Sequence, residues 1–416
     1  MNILFLCHRI PYPPNKGDKI RAFNILAHLA KSHVVHCGAF VDDPDDMPYG
    51  EELRRIARGE CLFLPRSKAS ALPRAGFALA SGEPLTTAYF ESAQMRRWVV
   101  ELMRKGSVDR VVIFSTAMAP LLLDLPEFDP ARVIFDMVDV DSDKWRQYAR
   151  STGGMRSWVF RREAERLFAL ERRAANAFGA TLLVSPFEAR TFTDLAPETS
   201  ARVHAMPNGV DLDYFSPDVP CANPFGAGEL PVVMTGMMDY RPNVEGATWF
   251  AQCVMPAIRE ALPRIHFHIV GAKPDDSLRT LGPDVIVTGR VADVRPYLAH
   301  AAAVVAPLRL ARGIQNKVLE GMAMARPVVA TGQASRALEI KAGSDLWVAD
   351  DTEPFARAVV AAASGPDREI VARNGRRLVE RRYNWTRNLA TLDRLLDGEA
   401  MGETVRDRIM PLEKTR

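Results

Sequence analysis

The sequence predicts an α/β protein built of two doubly wound halves, and three observations lead there. Short apolar runs suited to buried parallel strands alternate with segments of helical period along most of the chain. A Pro/Gly-rich run from Pro207 to Pro231 is the clearest shift in composition and divides the chain. Residues 303–331, AVVAPLRLARGIQNKVLEGMAMARPVVAT, read as strand, loop, helix and strand, one βαβ unit with its loop at the carboxyl edge of a parallel sheet. At 416 residues the chain exceeds one ordinary core, so two or three domains are expected.

Composition narrows the function classes. An apolar content of 47% with 25% charged residues is that of a soluble globular protein. A net charge of +3 is too small for a general nucleic-acid binder, so no nucleic-acid partner is expected. Cysteines 7, 37, 61, 221 and 253 are scattered, with no CxxC or Cys/His spacing. They read as free thiols in a reducing compartment, and no metal site is expected. The start, MNILFLCHRIPYPP, lacks a basic leader and its apolar run breaks at His8-Arg9, so it reads as a first strand rather than a signal peptide. No window approaches the roughly 18 to 20 apolar residues of a membrane span. A cytoplasmic protein is expected, one that could touch the membrane from that side.

In the first half, residues 2–7 read as a strand, 21–30 as a helix and 33–40 as a second strand. The loop between them, RIPYPPNKGD, is too long for a simple turn. Gly17 could let the backbone approach a ligand there, with Lys16 or Lys19 meeting a phosphate. A solvated connection fits the same residues, and no GxGxxG supports a dinucleotide site. Residues 42–52 read as acidic surface, and 62–65, 108–115 and 132–138 as strands. Residues 67–82 mix Lys68 and Arg74 with small apolar side chains, a core-facing helix pair or a surface for membrane or acceptor.

The strand 132–138 runs into Asp139, Asp141 and Asp143. These carboxylates could serve as a base, a sugar-hydroxyl acceptor or a metal hook, and Asp139-Val-Asp141 has the short DxD form. Ser142 and Asp143 could equally cap a helix beginning at Lys144. From Lys144 to Arg173, nine cations against three glutamates leave a net +6, with aromatics interleaved. Such a segment can lie on anionic headgroups, or be an amphipathic helix with a snorkelling charged face.

Residues 180–185 and 203–206 read as strands before the Pro/Gly run. The second half opens with a strand at 232–236 and a helix at 244–261. Strands follow at 266–271, ending in Gly271, and at 285–289, then a short helix at 294–301 and a strand at 301–307. The loop carrying Arg309, Arg312 and Gly313 leads into a helix from about Gln315, with a strand from Pro327. Residues 344–348, 353–363, 368–382 and 387–396 complete the wind, before a charged tail from Asp397.

The helix from Gln315 aims unpaired N–H groups and its dipole at the loop, which favours an anion. Lys317 in its first turn can meet a phosphate, and Glu320 three residues on can accept from hydroxyls. That pair suits a sugar nucleotide. Arg241, after the first strand of this half, would stand near the same edge, or be a surface arginine capping a helix.

Five stretches in order, PYPPNKGDKIR, PNGVDLDYFSP, HFHIVGAKP, VTGRVADVRPYLAHA with APLR, and NKVLEGMAMARPVVAT, carry a resemblance over nearly the whole chain. The chain resembles glycosyltransferase family 4, the retaining "glycosyl transferase group 1" proteins of GT-B fold. The wording FDMVDVDSDKW and PLRLARGIQNKVLEGMAM further resembles the branch associated with PEP-CTERM/exosortase exopolysaccharide loci. The resemblance implies two Rossmann-like domains facing each other across a cleft. Residues 1–207 would hold the acceptor, 208–230 link, and 231–384 hold the donor. Residues 385–398 would pack back on the first domain and 399–416 form a tail. It implies a nucleotide-sugar donor such as a UDP- or GDP-sugar, a lipid-linked or oligosaccharide acceptor, peripheral contact with the inner membrane, and no metal or other cofactor.

The family pattern has two glutamates separated by seven residues. Glu320 matches the second, whose implied partners are the ribose hydroxyls, while Arg312 stands where the first would fall. Arg241 stands near the first member of the family's basic pair, and with no lysine at the usual spacing, Lys317 is the substitute. Asp139 and Asp141 fall about where the family places a histidine near the reacting centre. The implied catalytic set is therefore Glu320, Lys317, Arg241, Asp139 and Asp141. The implied donor set is Arg241, Lys317, Gly313, Arg312, Asn316, Glu320, Gly271 and Gly17. The changed glutamate keeps open a non-catalytic nucleotide-sugar-binding subunit, and the architecture keeps open a sugar-nucleotide epimerase.

Overall fold

The structure is a computed structural model and describes residues 1–66 and 82–398. The expectations placed on residues 67–81 and on the tail beyond 398 lie outside the described residues. The chain divides into two compact units. One runs from Met1 to Met206 and takes up the chain again at Leu389; the other is Pro207–Asn388.

The first unit is wound on a parallel seven-stranded sheet of order β3-β2-β1-β4-β5-β6-β7. The strands are β1 (Asn2–Cys7), β2 (Val34–Val41), β3 (Arg58–Pro65), β4 (Arg110–Phe114), β5 (Val133–Val138), β6 (Ala180–Leu183) and β7 (Val203–Ala205). Ile3 to Cys7 are completely buried, as expected of a strand covered on both faces. The strand order reverses between β1 and β4, where Cys7 pairs with Phe114. Residues just past that register stand at the topological switch point.

Polar side chains inside this unit fix its carboxyl edge. Arg21, on the helix Gly17–Ser32, is fully buried and grips Asp136 at 2.8 and 3.1 Å while donating to the Met206 carbonyl at 2.8 Å. Lys19 on the same helix is buried against Asp46 at 2.5 Å, so its ammonium is committed to the protein rather than to a phosphate. Past Asp136 the backbone turns sharply. Val138 has φ +70°, and Asp139 N donates to Met137 O at 3.0 Å, a γ-turn with a left-handed β-branched residue at its centre. Such a conformation costs on the order of 1–3 kcal/mol and persists only where neighbours over-determine it. Here Asp136 accepts from Val138 N, Val138 O accepts from Val184 N, and Glu188 accepts from Val140 N at 3.2 Å.

The basic segment is two helices, Asp141–Arg150 and Gly154–Ala177, broken where Gly154 takes φ +64°. Neither Ser142 nor Asp143 caps the first one, as Val140 holds the cap position without a side-chain bond. The job is done from the second helix, where buried Glu171 accepts from Ser142 N at 3.0 Å and Ser142 Oγ at 2.6 Å. Buried Glu163 likewise accepts from Leu85 N and Thr86 N at the start of the helix Leu85–Phe90. Two of the three glutamates counted as balancing charge therefore face inward. The last helix, Trp385–Leu396, buries Leu389, Leu392 and Leu396, meets His28 through Asp393 at 2.8 Å, and gives its Leu396 carbonyl to Arg110.

The second unit has a parallel six-stranded sheet of order β10-β9-β8-β11-β12-β13. Its strands are β8 (Leu230–Thr235), β9 (Ile265–Val270), β10 (Val285–Gly289), β11 (Ala303–Ala306), β12 (Val328–Ala330) and β13 (Trp347–Val348). The expected single helix at 244–261 is interrupted: Arg241–Trp249 and Met255–Ala261 flank a π turn at Phe250–Val254, just before Pro256. The start of the Pro/Gly run is tied down. Val210 N donates to Tyr383 O at 2.8 Å, and Arg376 donates to the carbonyls of Phe215 and Ala323.

Removing one partner of the Arg21–Asp136 pair leaves a buried uncompensated charge. Asp136→Ala is expected to destabilise the first unit by about 3–5 kcal/mol, read by urea denaturation.

Candidate functional site

The strand order of the second sheet reverses between β8 and β11, so their carboxyl ends form its switch point. Two helices begin there. Arg241–Trp249 follows β8, and Asn316–Ala323 follows β11 through the loop at 307–315. The first packs close on the chain leaving β11 because Gly246 has no side chain: a Cβ there would sit 2.7 Å from the Pro307 carbonyl.

Lys317 is 7% exposed, and its Nζ donates to Asn243 Oδ1 at 2.6 Å. Asn243 is fixed in turn, its Nδ2 donating to Met237 O at 2.8 Å. One amide thus joins both helices to the turn after β8 and leaves two of the ammonium's three protons for a ligand. Gly236 makes room for the arrangement, since a Cβ there would lie 2.8 Å from Asn243 Nδ2 and 3.3 Å from Lys317 Nζ. Gly271, at the end of β9, is needed for backbone contact, because its Cβ would fall 1.7 Å from the Gly236 carbonyl.

Burial lowers the Lys317 ammonium to about 8, with the Glu320 charge opposing the shift. Burial also raises the half-buried Glu320 carboxyl to about 7, against the pull of Lys317 and of the Thr235 hydroxyl. Burial thus works against both charges, and each is favoured by the charge of the other. A buried cation at a helix N-terminus, beside a carboxylate, can bind a phosphate and a hydroxyl of one ligand.

The other predicted residues fall into three groups. Arg312, Gly313 and Asn316 belong to the same loop and helix start as Lys317. Gly313 is left-handed at φ +58°, the Arg312 carbonyl accepts from Gln315 Nε2 at 2.7 Å, and Asn316 Oδ1 is buried with no hydrogen-bond partner among the described residues. Arg241 opens the helix that carries Asn243, but its guanidinium is 62% exposed and pairs with Glu245 at 2.6 Å. Gly17, Asp139 and Asp141 lie in the first unit. Gly17 begins a helix, Asp139 follows the γ-turn half-buried, and Asp141 pairs with Lys144 one turn on. Among the described residues no three His, Cys, Asp or Glu side chains gather as a metal site.

Sequence reasoning missed Asn243, Gly236 and Thr235. The available signal was the Arg-Pro-Asn after the first strand of this half, which reads locally as helix-start chemistry.

Residues 230–364 match the family model described as "Glycosyl transferases group 1". No curated protein matches the chain. Among solved structures, Anabaena HepE in complex with UDP-glucose is 13% identical, with a TM-score of 0.67 over 96% of this chain and 100% of that one. Sucrose-phosphate synthase from Thermosynechococcus elongatus is 15% identical, with a TM-score of 0.67 over 96% and 98%. A trehalose-6-phosphate protein from E. coli, bound with UDP-2-fluoro glucose, is 11% identical, with a TM-score of 0.64 over 95% and 99%. The likeness is one of fold: two parallel-sheet α/β domains, as in GT-B glycosyltransferases.

The sign of the lysine shift fixes a pH dependence. Affinity for inorganic pyrophosphate should fall as the pH rises through about 8, where Lys317 discharges. Lys317→Met should bind weakly and without that inflection, read by calorimetric titration from pH 7 to 9.5.

Proposed function

We propose that the chain is a retaining glycosyltransferase that moves a sugar from a nucleotide-diphosphate donor to a glycan or lipid-linked acceptor. The observation that carries the reading is the buried Lys317–Asn243 pair at the switch point of the second sheet, with Glu320 one turn further along. The donor's diphosphate lies against Lys317 and the first N–H groups of the helix Asn316–Ala323, and Glu320 accepts from the ribose hydroxyls. Arg241 and Arg312 add the positive charge that this reading assigns to the protein rather than to a metal.

The chemistry follows from that placement. The bond from the anomeric carbon to the diphosphate breaks, a bond to the acceptor oxygen forms on the same face, and the acceptor's proton passes to a phosphate oxygen. Cations and N–H groups already in place for the departing charge are the main catalytic device. The match to a group 1 model over residues 230–364 supports the donor role of the second unit. The UDP-glucose and UDP-2-fluoro glucose of two structural neighbours make UDP-sugars the first donors to test. The motifs that carry the resemblance support a reading as family 4 and as the exosortase-associated exopolysaccharide branch. Asp139 and Asp141 contact the acceptor in this reading, supported by the strain at Val138.

The site of action proposed is the cytoplasmic face of the inner membrane. No described helix is long and apolar enough to cross a membrane. The helix Gly154–Ala177 exposes Met155 and Trp158 at 78% and 57%, beside exposed Arg156, Arg161 and Arg166. Its other aromatics are engaged: Phe160 packs on Trp145 and Tyr148, and Phe168 on Phe192. Basic side chains around an exposed tryptophan suit anionic headgroups. Arg156→Glu with Arg161→Glu should weaken sedimentation with phosphatidylglycerol vesicles at least tenfold, at about 1 kcal/mol per cation lost.

Arg312 favours a second reading, a subunit that binds a nucleotide sugar without turning it over. Incubation with UDP-, GDP- and ADP-sugars, with and without membrane lipid extract, separates the two. Acceptor-dependent release of nucleoside diphosphate is expected, and Lys317→Ala and Glu320→Ala should each cut it by about 10²-fold or more. Tight binding without release establishes the second reading, and donor interconversion without release an epimerase.

A further inference from the structure

The switch point of the first sheet carries a polar cluster that the donor chemistry leaves unused. His8 follows β1 and Ser115 follows β4, the two strands between which the order reverses. The Ser115 hydroxyl is 3.1 Å from His8 Nδ1, and His8 Nε2 is 3.5 Å from Asp18 Oδ2. The imidazole is held in plane by stacking on Phe114, centroids 5.8 Å apart, and by the edge of Phe90 at 5.5 Å. Its side chain remains 14% exposed.

Asp18 is firmly ionised. Burial alone would raise its carboxyl, but the hydrogen bonds from His8 and Arg9 and the charge of Arg9 outweigh that and hold it well below the usual carboxylate range. Arg9 donates to Asp18 at 2.8 Å and to Asp42 at 2.8 Å, so the carboxylate is anchored from behind. An ionised Asp18 accepts only, so the tautomer that fits it has its proton on Nε2. Nδ1 is then an acceptor, and the Ser115 hydroxyl donates to it. Ser115 precedes the 3-10 helix Thr116–Leu121, where a serine ordinarily caps, yet its side chain makes no cap bond. Its hydroxyl is committed to His8, which leaves the lone pairs of Oγ to accept from a ligand. The next strand on the same edge, β5, is the one that ends in the Val138 turn and Asp139.

We propose that His8, oriented by Asp18, and Ser115 form the polar floor of a subsite for a hydroxyl of the acceptor, a sugar or alkyl glycoside. This rests on the glycosyltransferase reading and adds the acceptor side to it. The ligand hydroxyl donates to Ser115 Oγ, whose own proton stays on the hydrogen bond to His8 Nδ1. No covalent step is assigned to the histidine. Ser115 is the contact residue, His8 its positioning partner, and Asp18 sets which nitrogen carries the proton.

The test measures UDP binding and sugar transfer from UDP-glucose to octyl β-D-glucoside kept below its micelle concentration, in wild type, His8→Ala, His8→Asn and Ser115→Ala. Losing one hydrogen bond predicts a rise of about tenfold in the glucoside KM for His8→Ala and Ser115→Ala. UDP affinity, which reads the donor side, should match wild type. His8→Asn should recover much of the loss, because an amide oxygen can stand where Nδ1 stood. A cluster that only ties the loops together would lower stability or shift all constants alike, without rescue, and that overturns the proposal. So does a glucoside response that is the same in all four proteins, or a wild type that binds UDP but shows no saturable response to the glucoside. A wild type that binds no UDP contradicts the donor reading instead.

Discussion

The hydrogen bond from Lys317 to Asn243 is the constraint around which the second unit is arranged. An ammonium taken out of water needs a partner, and a carboxylate in contact would cancel the charge that a phosphate requires. A neutral amide oxygen at 2.6 Å satisfies one proton and leaves the charge available. The cost is visible in the lowered proton affinity of the amine. Around this bond the backbone has been thinned to glycine: Gly236 under the two side chains, Gly271 against Gly236, and Gly246 against the Pro307 carbonyl. Each glycine marks a place where two elements come closer than a β-carbon permits.

The two units share a doubly wound architecture and differ in how they hold their carboxyl edges. The second uses close backbone packing and leaves a cation. The first uses buried charge and paired hydrogen bonds, with Arg21 on Asp136, Lys19 on Asp46, and three inward glutamates gripping N–H groups. One of those, Glu171, is pushed up to about 8 by burial, with the Asp141 charge pushing the same way against its bonds from Ser142. The edge so built ends in a strained turn at Val138 and an imidazole between a serine and an aspartate. A rigid rim carrying both strain and unused hydrogen-bonding capacity is what a small-molecule subsite requires.

Much of this was legible in the sequence, for identifiable reasons. An apolar run such as NILFLC becomes a strand because both of its faces are covered, which makes the pattern strong. That Lys317 and Glu320 share the start of one helix could be read, because it is a local property. Asn243 could not, since its partner is 74 residues away and only the sheet's strand order brings the two together. His8 looked like a break in an apolar run, because its meaning depends on Ser115 and Asp18. Counting charge from Lys144 to Arg173 treated Glu163 and Glu171 as solvated, and their burial shows only once the neighbouring helix starts are placed. The φ of Val138 has no signature in residue type at all.

Recognition of a diphosphate by a buried lysine, held by a neutral amide, is what the proposed function stands on. Its most direct test compares calorimetric affinities for UDP and uridine in wild type and Asn243→Leu at pH 7.5. Wild type is expected to favour UDP by at least two orders of magnitude, and the preference to collapse largely in the variant while the weak uridine affinity survives. An unchanged UDP preference in Asn243→Leu would contradict it.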